Sequence, residues 1–132
     1  MPTNKNKISL IIVAFGFMGS STLKSFYQNK FFEIKGVIIP VDNKYYYSEI
    51  NIKQLKKNVQ ILSSDDKTKV HNFIKKLKPD IVVISTYNKI FDKKTLELSH
   101  FINIHHGKLP KQKGRASINW ALIMGRKSIY LT

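Results

Sequence analysis

Ile8-Ser-Leu-Ile-Ile-Val-Ala14, running into Phe15-Gly16-Phe17-Met18-Gly19, is the stretch on which the fold turns. An apolar run rich in β-branched residues and closed by two glycines is the pattern of a buried strand entering a tight turn. A strand, a glycine loop and then a helix open an α/β unit. The helix is expected next, with Leu23, Phe26 and Tyr27 at helical spacing and Ser20, Ser21 and Thr22 as candidate N-caps. Ile34 to Pro40 reads as the second strand, closed by proline. Val41 to Asn58, rich in Asn, Lys and Tyr without a firm period, reads as a surface excursion, and Val59 to Leu62 as a short third strand.

Asp65 or Asp66 can cap a helix whose apolar positions Val70, Phe73, Ile74 and Leu77 share one face, and Pro79 stops it. Asp80 to Thr86 is another buried run, Asp92 to Ser99 fits a short helix, and Phe101 to His105 a fifth strand. Ser117 to Met124 fits a helix carrying Ile118, Ala121, Leu122 and Met124, with Trp120 and Leu122 expected in the core. Strands alternating with helices predict a Rossmann-like, mostly parallel sheet with helices on both faces. Arg126 to Thr132 begins like a further strand, so the sheet is expected to be incomplete at the C-terminus. No repeat or linker interrupts residues 1–132, which read as a single domain.

Composition narrows the function classes. The 132 residues contain no Cys, which excludes a disulfide scaffold, an Fe–S cluster, a thiolate zinc site and a cysteine nucleophile within this stretch. Ile8 to Met18 is far short of the roughly 20 residues that span a bilayer. The same stretch imitates a signal peptide processed near Ser20 or Ser21, but a buried first strand writes the same pattern, and the protein is expected in the cytoplasm. The 23 Lys plus Arg against 8 Asp plus Glu give a formal charge of +15, which suits an anionic ligand or nucleic acid. Only Arg115 and Arg126 are arginine, whereas base and bidentate phosphate contacts favour the guanidinium. The lysine excess, with abundant Ile, Asn, Tyr and Phe, matches AT-rich coding and a generally anionic ligand, so neither nucleic acid nor membrane is an expected partner.

Ligands of parallel sheets bind beyond the carboxyl ends of the strands, which singles out three loops. Gly16-Phe17-Met18-Gly19 lacks the third glycine of a dinucleotide fingerprint and the Lys-Ser/Thr of a P-loop. It can bring backbone N–H groups to a phosphate or simply permit the turn. Thr86 to Phe91 is the second loop. In the third, Asn103 and His105 are two apart and share a face of an extended strand. There an amide can hold a developing oxyanion while an imidazole polarises a carbonyl or takes a proton, although an ordinary polar strand end has the same residues. Lys108, Lys111, Lys113 and Arg115 can neutralise a diphosphate or form a solvated lysine loop. His100, His105 and His106 lack HExxH spacing and a nearby carboxylate, so no metal is expected.

Asn103-Ile-His105-His106-Gly107-Lys108-Leu109-Pro110, followed by Gly114-Arg115 and Asn119-Trp-Ala-Leu-Ile123, resembles the signature of the folate-dependent formyltransferases. Gly-Lys-Leu-Pro with Gly-Arg and Asn-Trp-Ala-Leu-Ile is most similar to the nucleotide-sugar N-formyltransferases. Members acting on methionyl-tRNA or glycinamide ribonucleotide usually carry Ser-Leu-Leu-Pro there. Pro79 to Ile90 resembles the family's strand and folate loop, and Ile8 to Gly19 its first strand and substrate loop. The resemblance implies transfer of a formyl group from N10-formyltetrahydrofolate, without a metal, to the amine of a nucleotide-linked amino sugar, as in O-antigen and lipopolysaccharide assembly. It places Asn103 at the tetrahedral oxyanion and His105 as general base or carbonyl polariser. Tyr87, Asn88, Lys89, Ile90 and Phe91 would cradle the pterin, mostly through backbone groups, and Gly16, Phe17, Met18, Gly19 and Lys108 would lie toward the sugar nucleotide. Family members often dimerise, so a homodimer is implied for a full-length protein.

Two departures stand out. His106 replaces a small residue or proline, and the Asp that orients the family's histidine falls, by its usual spacing, beyond Thr132. Loss of a residue that fixes a catalytic imidazole costs orders of magnitude in rate. These 132 residues are therefore expected to be the N-terminal part of a catalytic domain, weakly active or inactive alone. The alternatives are a methionyl-tRNA formyltransferase fragment, which Gly107-Lys108 and the lack of an RNA-binding domain disfavour, and a non-catalytic folate- or nucleotide-binding remnant.

Overall fold

The computed structural model describes residues 7–40, 55 and 58–132, in two compact units, one running through Ile102 and one from Asn103. The first contains β1 (Ile8–Ala14), α1 (Gly16–Tyr27), β2 (Phe32–Ile39), β3 (Gln60–Ser63), α2 (Lys67–Leu77), β4 (Ile81–Ser85), α3 (Lys93–Leu96) and the start of β5 (His100–Ile104). The second contains the end of β5 and α4 (Ser117–Ile123). The strands form one sheet in the order β3-β2-β1-β4-β5, with β1 parallel to both β2 and β4 and β2 parallel to β3. This is the expected Rossmann-like α/β architecture. Among the described residues no helix is long and apolar enough to cross a membrane.

Alternation along β1 explains the two covered faces. Ile11 and Val13 join Ile38, Val82 and Ile84 against Val70 and Ile74 of α2. Leu10, Ile12 and Ala14 point the other way, and α1 packs over β1, β2 and β4 with Leu23 buried. Asp66 starts α2 by accepting from the Lys69 backbone N–H at 2.8 Å, a cap worth about 1 kcal/mol. Lys78, in the left-handed conformation with φ 45°, ends it before Pro79.

Where β1 meets α1, Gly16 takes φ +66° and turns the chain straight from strand into helix. Ser20, Ser21 and Thr22 consequently lie inside α1 and are not its N-caps; the cap position is Phe15, without a side-chain cap bond. Gly19 lies so close to β1 that a Cβ there would meet the Ala14 carbonyl carbon at 2.8 Å. Thr22 instead bonds across to β4, Oγ1 to Ser85 Oγ at 2.9 Å.

Other boundaries shift for similar reasons. β2 begins at Phe32, because Phe32 is already in register with Ile8. The helix expected over Asp92 to Ser99 is the four-residue α3, capped by the Asp92 side chain on the Thr95 N–H at 2.9 Å. Ser99 is drawn to the start of β4, where its hydroxyl donates to the Pro79 carbonyl at 3.0 Å. Trp120 and Leu122 are not core residues: they are 59% and 69% exposed, and in α4 only Ala121 is buried. Arg126 to Thr132 forms no strand. The excursion expected over Val41 to Asn58 lies outside the described residues except for Leu55 and Asn58.

Asp80 joins the amino ends of the strands. Its carboxylate accepts from the Ser9 backbone N–H at 2.7 Å and the Ser9 hydroxyl at 2.6 Å, and its backbone N–H donates to the Ser9 carbonyl at 3.0 Å. The Ser9 hydroxyl, then the Ser9 backbone N–H, and more weakly the charge of Lys35, hold this carboxyl below its ordinary 3.8, against a small opposing effect of burial. A carboxyl depressed in the folded state stabilises above its unfolded value and loses that contribution as pH falls through the lower folded value.

Asp80→Asn should therefore lower the urea midpoint at neutral pH, and the gap from wild type should shrink as pH falls below 3.8. A gap that stays constant into acid would contradict the assignment. Gly19→Ala must push α1 off β1 and should cost about 1–3 kcal/mol, read as a lowered midpoint with an unchanged denaturant slope.

Candidate functional site

The strand order reverses direction between β1 and β4, which makes their carboxyl ends the switch point where open parallel sheets bind ligands. Ala14 and Ser85 are register partners there, and the Phe15 N–H donates to the Ser85 carbonyl at 3.3 Å. The Gly16–Gly19 and Tyr87–Phe91 segments thus leave from neighbouring strand ends. Gly16 to Gly19 is the first turn of α1 and not a loop. In it Phe17 is 76% exposed, Gly16 and Met18 are half-buried, and Gly19 is buried.

Tyr87 and Phe91 are turned inward. Their rings lie 5.1 Å apart, Phe91 lies 5.2 Å from Phe101, and all three pack against the α2-side core. Burial, with a smaller effect from Asp65, raises the Tyr87 phenol above its ordinary value. Asn88, Lys89 and Ile90 are left facing solvent. Lys89 reaches Asp65 at 3.5 Å, Ile90 is 84% exposed, and none of the three makes a backbone hydrogen bond among the described residues. Free amide groups beside an exposed apolar side chain suit a flat heterocycle with a hydrogen-bonding edge. A separate cavity of about 160 Å³, lined by Lys7, Phe26, Phe32 and Ile34 among others, opens at the amino ends of β1 and β2, the wrong ends for this role.

In the second unit, Asn103 lies within β5, exposed and with no side-chain hydrogen bond among the described residues, and His105 is the first residue beyond Ile104, half-buried. His105 Nε2 lies 2.6 Å from the backbone oxygen of Gln112. A carbonyl only accepts, so the proton is on Nε2, and in the neutral ring Nδ1 carries the free lone pair. The Gln112 side chain also accepts from the Lys108 N–H at 2.7 Å, and the Gln112 N–H donates to the Lys108 carbonyl at 2.9 Å. These bonds close a turn over residues 108–112 that holds the Gln112 carbonyl on the imidazole. Gly107 has to be glycine for this to fit, since a Cβ would lie 2.8 Å from the Gln112 oxygen and 3.0 Å from His105 Nε2. Among the described residues His106, half-buried, makes no hydrogen bond, and no three His, Asp or Glu side chains gather as a metal site.

The sequence gives no signal for Gln112, which sits unremarked in Lys111-Gln-Lys113. The chain end is also placed by folding. Thr132 and His105 exchange backbone hydrogen bonds, 2.8 and 2.7 Å, and the Thr132 hydroxyl donates to the Gly107 carbonyl at 2.6 Å. Mutual exchange between one pair of residues is the antiparallel ladder pattern, here reduced to a single rung.

A family model described as formyl transferase matches residues 42–132. The methionyl-tRNA formyltransferase of Clostridium tetani is 36% identical over 110 residues, covering 74% of this chain and 35% of that protein. That of Clostridium novyi is 32% identical over 127 residues, covering 84% and 40%. The chain thus spans well under half the length of these two curated relatives. Among solved structures, phosphoribosylglycinamide formyltransferase from Bacillus halodurans superimposes with a TM-score of 0.71 at 19% identity, covering 94% of this chain and 69% of that one. Glycinamide ribonucleotide transformylase 1 from Symbiobacterium toebii gives 0.74 at 14% identity, covering 100% and 67%. At those identities the likeness is one of fold.

The His105 geometry is open to nitrogen NMR. In its neutral form, His105 should give a single tautomer with the proton on Nε2, and Gly107→Ala, which displaces the Gln112 carbonyl, should give a mixture. A wild-type proton on Nδ1 would overturn the assignment.

Proposed function

The chain belongs to the formyl transferase family, and on that premise we propose that it contributes the Asn103–His105 centre of an enzyme that moves a formyl group from N10-formyltetrahydrofolate to a primary amine. The match of the family model over residues 42–132 carries this reading, because it includes the whole Asn103 to Arg115 block. The bound co-substrate supplies the formyl carbon, and the solvent-facing Asn88–Ile90 turn offers backbone groups to its pterin. The exposed Asn103 amide has donors to spare and stabilises negative charge developing on the formyl oxygen. His105, oriented by the Gln112 carbonyl, presents Nδ1 to take the proton that the attacking amine gives up, and as the formyl–N10 bond breaks a proton returns to N10 and tetrahydrofolate leaves. Gly16 to Gly19 and Lys108 are assigned to the acceptor by resemblance alone, and the setting is the cytoplasm.

Methionyl-tRNA is the acceptor that the relatives support, since both curated proteins carry that activity in their names. A specific observation favours a second reading. Gly107-Lys108-Leu109-Pro110 stands where Ser-Leu-Leu-Pro is usual in the methionyl-tRNA enzymes, which points by resemblance to a nucleotide-linked amino sugar. The lipopolysaccharide setting rests on that resemblance alone.

Incubating the protein expressed from its own gene with N10-formyltetrahydrofolate and either methionyl-tRNA or a dTDP-linked amino sugar tests both readings. One acceptor should be formylated. His105→Ala should slow transfer about 10²–10⁴-fold, and Asn103→Ala about 10²–10³-fold. Formylation of neither acceptor, or a full rate in His105→Ala, would sink the proposal.

A further inference from the structure

The second unit contains a cleft of about 400 Å³ whose walls come from the turn after His105 and from the segment after α4. Lys108, Lys111, Arg126 and Lys127 line it, together with Ser128 and Tyr130. The two walls are far apart in sequence. They are held side by side by the Thr132 bonds to His105 and Gly107 and by Lys108 Nζ, which lies 5.2 Å from the centre of the Tyr130 ring.

The charge in this cleft is uncompensated. No Asp or Glu occurs between Leu98 and Thr132, and among the described residues no carboxylate pairs with any of the four cations. Among the described residues the Arg126 guanidinium donates only to the sulfur of Met124, at 3.7 Å. A hydrogen bond with Ser128, then the charge of Lys108 and, least of all, that of Arg126, pull the Tyr130 phenol below its ordinary value against an effect of burial weaker than that of Lys108, as expected where the local field is positive. Like charges gathered without counter-charge repel one another, and a multiply charged anion removes that repulsion. Tetrahedral phosphate oxygens suit several ammonium, guanidinium and hydroxyl donors at once. The volume exceeds what a single phosphate fills and lies in the range of small-ligand sites.

We propose that the Lys108–Lys111–Arg126–Lys127 cleft binds adjacent phosphate groups of the formyl acceptor. The cleft adjoins the centre described above, because Gln112 lines it while its carbonyl holds His105. Naming the ligand as the acceptor rests on the proposed formyl transfer; phosphate binding itself does not. Either a nucleoside diphosphate or RNA phosphodiesters present this chemistry.

Inorganic pyrophosphate is the probe, titrated by calorimetry and by NMR of labelled tyrosine, with the Tyr130 signal identified through Tyr130→Phe. Pyrophosphate should shift the Tyr130 signal. The double change Arg126→Gln with Lys127→Gln should weaken binding about tenfold or more, as expected for losing charged hydrogen bonds. Lys111→Gln, a milder surface change, should weaken it less. The double change Lys75→Gln with Lys94→Gln, on exposed faces of α2 and α3, should have no effect. Pyrophosphate that leaves Tyr130 unmoved, or binds the Arg126/Lys127 variant as tightly as wild type, overturns the proposal. Displacement of pyrophosphate by dTDP supports a nucleoside diphosphate, and salt-sensitive displacement by tRNA supports RNA. Displacement by neither overturns the assignment to the acceptor. His105→Ala should lose transfer and keep pyrophosphate affinity. Localised pyrophosphate binding without transfer to any amine would count against the enzyme reading alone, whereas transfer that survives in the Arg126/Lys127 variant with unchanged acceptor KM would count against the cleft alone.

Discussion

Leu10 to Ala14 are fully excluded from solvent, and the first unit is arranged to keep them so. A strand with apolar side chains on both faces stays buried only with a strand on each edge and a layer on each face. β2 and β4 supply the edges, and α1 and α2 supply the layers. Burial of each large side chain is worth about 1.5–3 kcal/mol, which is why glycine is required where α1 crosses the end of β1. Gly19 lets the helix approach within contact of Ala14, and the same approach brings Thr22 to Ser85.

That constraint also fixes where chemistry can happen. With β1 at the centre of the sheet, the chain must cross from β3 to the far side of β1, and the reversal leaves the carboxyl ends of β1 and β4 as neighbours without a shared connection. The segments there divide their labour by side-chain character. Tyr87 and Phe91 are spent on the core beside Phe101, while Asn88 to Ile90 remain outside with unused backbone groups. Asp80 and Ser9 tie the opposite ends of the same strands, so this polar junction lies away from the carboxyl ends of β1 and β4.

The second unit is organised around a carbonyl. Gln112 holds the His105 imidazole through its backbone oxygen and the Lys108 amide through its side chain. The imidazole therefore has a fixed tautomer set by a main-chain partner. The same turn forms one wall of the cationic cleft, so the residue that holds the imidazole also borders the site proposed for the acceptor's phosphates.

The sequence by itself determined the strand–helix alternation, the buried first strand, an aspartate cap at 65 or 66 and the Asn103–His105 motif. Each of these is written in residues close together in the chain, where periodicity, capping chemistry and spacing act directly. Its errors fell where distant residues decide. Ser20, Ser21 and Thr22 look like caps until Gly16 turns the chain earlier. Trp120 and Leu122 look like core until α4 buries only Ala121. Only the tertiary structure set the Gln112 carbonyl on His105 and brought Arg126 and Lys127 to Lys108 and Lys111. Those placements follow from hydrogen bonds and charges meeting across folded segments, and no local pattern of residues encodes them.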